Sequence, residues 1–218
     1  MSKKGFIFDL DGVIVDTAKY HFLAWKKLAN SVGVDFTEAQ NEQLKGVSRK
    51  KSLEQILEWG DKSLSEEEFI ELMMLKNDDY LSYVDKMDEN EILPDVPKIL
   101  NFLMAEGYPI ALGSASKNAR NILEKVNLLS CFNTIVDGNS VAKGKPNPEV
   151  FFKAAKALHV APKDCIVFED ARAGIKAANL AGMISIGIGD RDVLHEADYI
   201  FNDFTEISID FIKSLISK

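Results

Sequence analysis

The chain is short of cysteine, of long apolar runs and of positive charge, and each shortage removes a class of protein. Its two cysteines, Cys131 and Cys165, lie far apart and form no Cys-x-x-Cys pair. That usage fits two packed thiols in a reducing, cytoplasmic compartment and not a disulfide framework. No apolar run approaches the ~20 residues that a membrane span needs. The opening "MSKKGFIFDLDG" is basic, but its apolar stretch meets Asp9 at once, so no signal peptide is expected. With 26 Lys and Arg against 34 Asp and Glu, the net charge is −8, which argues against a nucleic-acid backbone as partner. Small phosphates stay open, because a few well-placed cations bind those locally. No Gly-x-Gly-x-x-Gly follows the first strand candidate, which excludes a dinucleotide-binding turn.

What is present is enough for one large α/β unit. The chain has 218 residues, 46% hydrophobic and 28% charged, so it can bury a core and keep a polar surface. "GFIFDL" reads as a first strand. From Asp95 onward strands and helices alternate. "DVPKILNFLMAEG" reads as a helix with Asp95 as N-cap, Pro97 in its first turn and Gly107 as its stop. "YPIALGSAS" follows as a buried strand and "KNARNILEKVNLL" as a helix. "FNTIVDG", "DCIVFED" and "MISIGIGD" are further strands, separated by the helical "PNPEVFFKAAKALHV" and "ARAGIKAANLAG". The alternation implies right-handed crossovers and a mostly parallel, doubly wound sheet covered on both faces. Between Asp16 and about Lys86 the pattern is amphipathic helix instead. Thr37 with Gln40, and Ser65 with Glu68, are capping-box patterns that open two of these helices. A helical block inserted after the first strand looks like a lid, hinged near Val15–Thr17 and near Lys86–Pro94.

In open parallel sheets ligands bind beyond the carboxyl ends of the strands. The polar residues expected there are Asp9, Asp11, Ser114, Ser116, Lys145, Glu169 and Asp170. Four carboxylates so close would repel unless a cation sat among them, and oxygen-only ligands suit a hard ion such as Mg²⁺. An aspartate can also attack phosphorus to give an aspartyl-phosphate, with a lysine and a hydroxyl balancing charge on the phosphoryl oxygens. The inventory fits metal-assisted phosphoryl transfer to a carboxylate. A calcium loop does not fit, because Val13 and Val15 fall at alternate ligand positions and Tyr20 stands where the bidentate Glu would be.

Four segments together resemble the haloacid dehalogenase superfamily of phosphotransferases. "DLDGVIVDT" looks like its first motif, "GSAS" its second, "KGKPNP" its third and "FEDARAGIKAA" its fourth, in the right order and with the helical insertion after the first. The resemblance implies a Rossmann-like core of residues 1–15 and 88–218 and a helical cap of residues 16–87. Inside the cap, "DTAKYHFLAWKKLA", "NEQLKGVSRKKSL" and "LKNDDYL" are similar to the sugar-phosphate mutases of that superfamily.

On matching positions the resemblance implies Asp9 as nucleophile and Asp11 as general acid–base. It implies Mg²⁺ on the Asp9 carboxylate, the Asp11 backbone carbonyl and Asp170, with Glu169 beside the ion, and Ser114 and Lys145 on the transferring phosphoryl group. Arg49, Ser116, Lys117 and Asn118, with Ala115 in the same loop, would grip the phosphate that is not reacting. Trp25, the Lys45, Gly46, Val47, Ser48 loop and Ser52 would face the sugar, while Thr17, His21 and Lys76 would position Asp11. The implied reaction interconverts β-D-glucose 1-phosphate and β-D-glucose 6-phosphate, primed by β-glucose 1,6-bisphosphate. The implied partners are small sugar phosphates, with no nucleic acid and no membrane, and a monomer is expected.

Three features depart from the family pattern. Gly113 before Ser114 is expected to loosen that serine, Arg172 to add a cation near the metal acids, and Lys50 and Lys51 have no assigned role. Taken singly, each motif also has a plain reading. Glu169–Asp170 could complement a helix N-terminus, Ser114 and Ser116 could cap the next helix, and Trp25 could be cap core. His159 and His195 carry no motif and read as structural. Among other functions, a phosphatase would use the same aspartate with water. A metal-free dehalogenase would not need Asp11 or Asp170, and a phosphate-sensing receiver would need neither a lid nor a second phosphate grip.

Overall fold

The computed structural model describes residues 3–217. Six strands form one sheet: β1 (Gly5–Phe8), β2 (Ile110–Gly113), β3 (Thr134–Val136), β4 (Cys165–Glu169), β5 (Ile184–Ile188) and β6 (Tyr199–Phe201). Their order is β3-β2-β1-β4-β5-β6 and every pairing is parallel. The chain runs from β1 outward to β3 on one side, then returns to pair β4 on the other side of β1. The crevice at the carboxyl ends of β1 and β4 is therefore the switch point of the sheet, where such folds bind ligands.

Strand side chains alternate between two layers, as a period of two requires. Phe6, Phe8, Leu112, Ile166, Phe168 and Ile186 face α5 (Val96–Ala105), α6 (Ala119–Lys125) and α9 (Ile209–Ile216). Ile7, Ala111, Val136 and Val167 face α7 (Glu149–Leu158) and α8 (Arg172–Leu180). Phe8 stacks on Phe168 with ring centroids 4.5 Å apart, at the centre of the first layer. Each fully buried aromatic or aliphatic side chain stabilises by about 1.5–3 kcal/mol, so the base of the site rests on a stiff floor. β6 and α9 extend the alternation beyond the last strand expected from the sequence.

Between β1 and α5 lie four further α-helices, α1 (Ala18–Ser31), α2 (Glu38–Leu44), α3 (Arg49–Trp59) and α4 (Glu66–Val84). They share their own apolar cluster, built on Trp25, Leu28, Phe36, Leu53 and Ile56. The capping boxes of Thr37–Gln40 and Ser65–Glu68 both form. The two connections to the sheet are tied to each other: Leu93 N–H donates to Ile14 O at 3.0 Å and Asp16 N–H to Glu91 O at 2.9 Å. Among the described residues no helix is long and apolar enough to cross a membrane.

Two local expectations change. Asp95 stands at the N-cap of α5 but adopts a left-handed conformation (φ 60°) and makes no capping bond; its carboxylate pairs with Lys98 instead. Gly113 does not loosen Ser114. It lies in β2, where a Cβ would sit 3.0 Å from Ile7 Cγ2 and 3.2 Å from the Phe151 ring, so glycine is needed for α7 to approach the sheet. Ser114 N–H donates to Val136 O at 3.0 Å and the residue is buried.

Candidate active site

The carboxyl ends of the strands bring the acids and cations to one place. Asp9 follows β1, and its two oxygens are held separately. Oδ2 accepts the Asp11 backbone N–H at 3.1 Å, and Oδ1 accepts from Lys145 Nζ at 2.5 Å. Lys145 also donates to Glu169 Oε1, while Glu169 Oε2 accepts the Ala171 N–H at 2.8 Å. Gly174 makes room for that carboxylate, since a Cβ there would lie 1.7 Å from Glu169 Oε1. Lys145 and Glu169 are fully buried behind Asp9. An unpaired charge at that depth would be prohibitive, and the triangle leaves none unpaired.

One ammonium among Asp9, Glu169 and Asp170 is too little positive charge. Burial, reinforced by Glu169 and Asp11 against the pull of Lys145, pushes the Asp9 carboxyl up to about 7. Burial and the neighbouring Glu169 and Asp9 hold Asp170 well above the usual carboxylate range. One oxygen from each of the three acids lies within 4.8 Å of the others. Hard oxygen donors with an excess of negative charge are what a divalent cation such as Mg²⁺ fits, and of the three acids Asp9 and Asp170 line the cavity. Lys45, from the loop after α2, reaches over to 3.7 Å from Asp170. Arg172 is exposed and pairs with Glu196 at 3.5 Å, an ion pair away from these acids' own.

Asp11 sits in a different environment. Its Oδ1 accepts from the Thr17 hydroxyl and lies 3.7 Å from His21 Nε2; His21 Nδ1 is 3.0 Å from Lys76 Nζ. Burial would raise the Asp11 carboxyl, but His21, Thr17 and Lys76 together hold it below its ordinary value. Lys76 itself lies between the rings of Trp25 and Tyr80, 4.7 and 4.6 Å from their centroids. Burial and the Arg49 charge bring it down to about 7, and burial with Lys76 lowers His21. Two neighbouring aspartates are thus driven in opposite directions, the pattern by which acid and base roles are divided.

The helix starts around this crevice are unusual. Thr17, Ser48 and Asn118 occupy the N-cap positions of α1, α3 and α6, yet none makes a side-chain capping bond. Thr37, Ser65 and Ser208, away from the crevice, all cap their helices. A cap is worth about 1 kcal/mol, and Thr17 gives it up to hold Asp11.

Sheet and helical block enclose a cavity of about 500 Å³. Asp9, Asp11, Ser114, Ala115, Ser116, Lys117, Asn118 and Asp170 line it from the sheet side, and His21, Trp25, Lys45, Gly46, Val47, Ser48, Arg49, Ser52 and Lys76 from the helices. Thr17, Lys145 and Glu169 stand behind that wall, buried. Trp25 belongs both to the wall and to the apolar cluster of the helices. Of the unassigned lysines, Lys50 reaches the wall; nothing in the structure assigns Lys51 a task there. The wall also contains Met73, Met74 and Tyr80 of α4, to which the sequence reading gave no site role. Tyr80 falls one helical turn beyond Lys76, so the spacing alone puts the two on one face. Its hydroxyl is buried near Thr17 and Asp11.

Comparison with known proteins agrees with this geometry. A family model described as haloacid dehalogenase-like hydrolase matches residues 3–182. A beta-phosphoglucomutase of Bacillus subtilis (strain 168) is 42% identical over 211 residues, 96% of this chain and 93% of that protein. A phosphorylated carbohydrates phosphatase of Thermotoga maritima is 31% identical over 81% of each chain. The crystal structure of beta-phosphoglucomutase from Clostridium difficile superposes with a TM-score of 0.95 at 42% identity, covering 99% of this chain and 97% of that one.

Proposed function

The chain belongs to the haloacid dehalogenase-like hydrolase family, and from that premise we propose that it is a phosphomutase interconverting β-D-glucose 1-phosphate and β-D-glucose 6-phosphate. In this reading Asp9 carries the phosphoryl group. Lys145 and the Asp11 N–H fix its carboxylate at the cavity wall. The 6-hydroxyl of β-glucose 1-phosphate loses its proton to Asp11 as it takes the phosphoryl group from Asp9. Asp11 begins as the ionised base, which its lowered proton affinity favours. The resulting 1,6-bisphosphate turns around in the cavity, its 1-phosphate returns to Asp9, and Asp11 gives the proton back to O1. β-Glucose 1,6-bisphosphate primes the cycle by phosphorylating Asp9.

Residues 16–87 act as a cap over a core of residues 1–15 and 88–218. Arg49, Ser116, Lys117 and Asn118 hold the phosphate that is not reacting, and Trp25, the loop Lys45 to Ser48 and Ser52 face the sugar. Asp9, the Asp11 carbonyl and Asp170 would hold Mg²⁺ with Glu169 beside it; when bound, the ion screens the charge on the phosphoryl oxygens. The enzyme would work on small sugar phosphates in the cytoplasm, as a monomer.

The observation that supports this reading is that two sets of residues suited to a phosphate line one cavity, Asp9 with Ser114, and Arg49 with Ser116, Lys117 and Asn118. A phosphatase needs one, whereas a mutase must hold both ends of a bisphosphate and keep water from the aspartyl-phosphate. The test supplies β-glucose 1-phosphate, Mg²⁺ and a trace of β-glucose 1,6-bisphosphate, and follows glucose 6-phosphate and inorganic phosphate in parallel. Glucose 6-phosphate in large excess, abolished by Asp9→Ala, is the expected result. Phosphate as the main product would mean a phosphatase.

A further inference from the structure

Asn77, on α4, lies in the segment "LKNDDYL" without a role assigned from the sequence, yet it joins three parts of the molecule. Its Oδ1 accepts from Arg49 Nη2 of α3 at 2.6 Å and from Asn118 Nδ2, in the loop between β2 and α6, at 3.0 Å. A guanidinium can only donate, so the amide oxygen and not the nitrogen must face Arg49. One acceptor therefore ties a cap cation to a core amide at the cavity wall.

We propose that Asn77 is a positioning residue that aims Arg49 and Asn118 at the non-reacting phosphate and latches the helical cap to the core. The proposal rests on the phosphomutase reading and deepens it. Arg49 has five N–H donors and spends one on Asn77, and Asn118 keeps a second amide proton. Both remain able to bind phosphate oxygens while their direction is already set, which lowers the ordering cost of binding. The neutral acceptor matters. A carboxylate at this position would form a bidentate-capable pair with Arg49 and compete with the incoming dianion. An apolar side chain would leave the guanidinium to sample its own rotamers and the cap to part from the core.

Asn77 acts through Arg49 and Asn118, so its effect belongs on KM and on water exclusion more than on the chemical step. Asn77→Ala is expected to raise KM for β-glucose 1-phosphate about tenfold, the loss of one charge-assisted hydrogen bond, while kcat changes by about threefold or less. The ratio of inorganic phosphate to glucose 6-phosphate should rise with it, because a looser cap admits water. Asn77→Asp should raise KM further and keep the low phosphate ratio, since its ion pair holds the cap but blocks the grip. Circular dichroism verifies that both variants are folded. KM and product ratio within about twofold of wild type in both variants, or a lower KM in Asn77→Asp, would overturn the latch. If wild-type protein mainly releases phosphate, the functional reading fails on its own terms. The latch is then read from KM for β-glucose 1,6-bisphosphate hydrolysis, where an unchanged value in Asn77→Ala overturns it as well.

Discussion

Lys145 Nζ lies 2.5 Å from Asp9 Oδ1, although 136 positions separate the two residues in the chain. The same ammonium donates to Glu169, so one buried cation serves two buried carboxylates. Removing it should leave both without a counter-charge. Lys145→Met is expected to lose activity and about 3–5 kcal/mol of stability at pH 8, the cost of breaking a buried pair. The loss should shrink at pH 5, where Asp9, whose carboxyl is pushed up to about 7, can take up a proton instead. Urea unfolding at the two pH values checks this, and an equal loss at both would contradict it.

The Asp9 carboxyl titrates at about 7 in the folded chain without metal, above its ordinary 3.8. A raised value means that the folded state binds more protons than the unfolded one between those limits. The stability it contributes is complete below pH 3.8 and is lost as pH rises through about 7. Mg²⁺ requires the ionised carboxylate, so its affinity should climb about tenfold per pH unit below 7 for each proton displaced. Melting scans with Mg²⁺ and with EDTA should diverge more at pH 8 than at pH 5.5. A metal shift that is the same at both would sink the prediction.

How much of this was legible beforehand follows from the physics of each element. Parallel strands buried on both faces must be continuous apolar runs, so β1, β2, β4 and β5 could be read directly. The capping boxes at Thr37 and Ser65 are local hydrogen bonds and form as their spacing implies. β6 has three half-buried residues, Tyr199–Phe201, too few for a pattern. Thr17 shows the limit of local reading. It stands where a capping hydroxyl belongs, but the hydroxyl turns to Asp11, six residues earlier, as the family resemblance implies and capping chemistry alone does not. Asn77 is less legible still, because its meaning lies in a meeting of α3, α4 and the loop after β2.

Lys76 offers a second pH signature with the opposite sign. Burial takes it from 10.5 down to about 7 between Trp25 and Tyr80. Between those limits the unfolded chain holds a proton that the folded chain has lost, so stability rises with pH across the window. Lys76→Met keeps the packing and removes the charge. It should be more stable than wild type at pH 7, with the advantage fading towards pH 10. Its mutase activity should fall, since His21 loses the partner on Nδ1. Denaturant midpoints at pH 7 and 9.5 measure the first effect, and a constant difference would refute it.

Gly46 tests whether the fit of cap to core governs the choice between sugar and water. It takes φ +69°, and a Cβ there would lie 2.9 Å from Ala171 Cβ, at the start of α8. Alanine must therefore push the loop between α2 and α3 off the core. Gly33 provides the control: it has φ +74°, but a Cβ there meets nothing closer than 3.8 Å, from Lys62 Nζ. Either substitution should cost about 1 kcal/mol of backbone strain. Only Gly46→Ala should raise KM and the phosphate released per glucose 6-phosphate, by about fivefold or more, because only it wedges the cavity open. If Gly33→Ala shifts the product ratio equally, strain within the helical block is responsible and cap–core contact is not. If neither shifts it, water is excluded by the transferring residues themselves, with no dependence on how closely the cap sits.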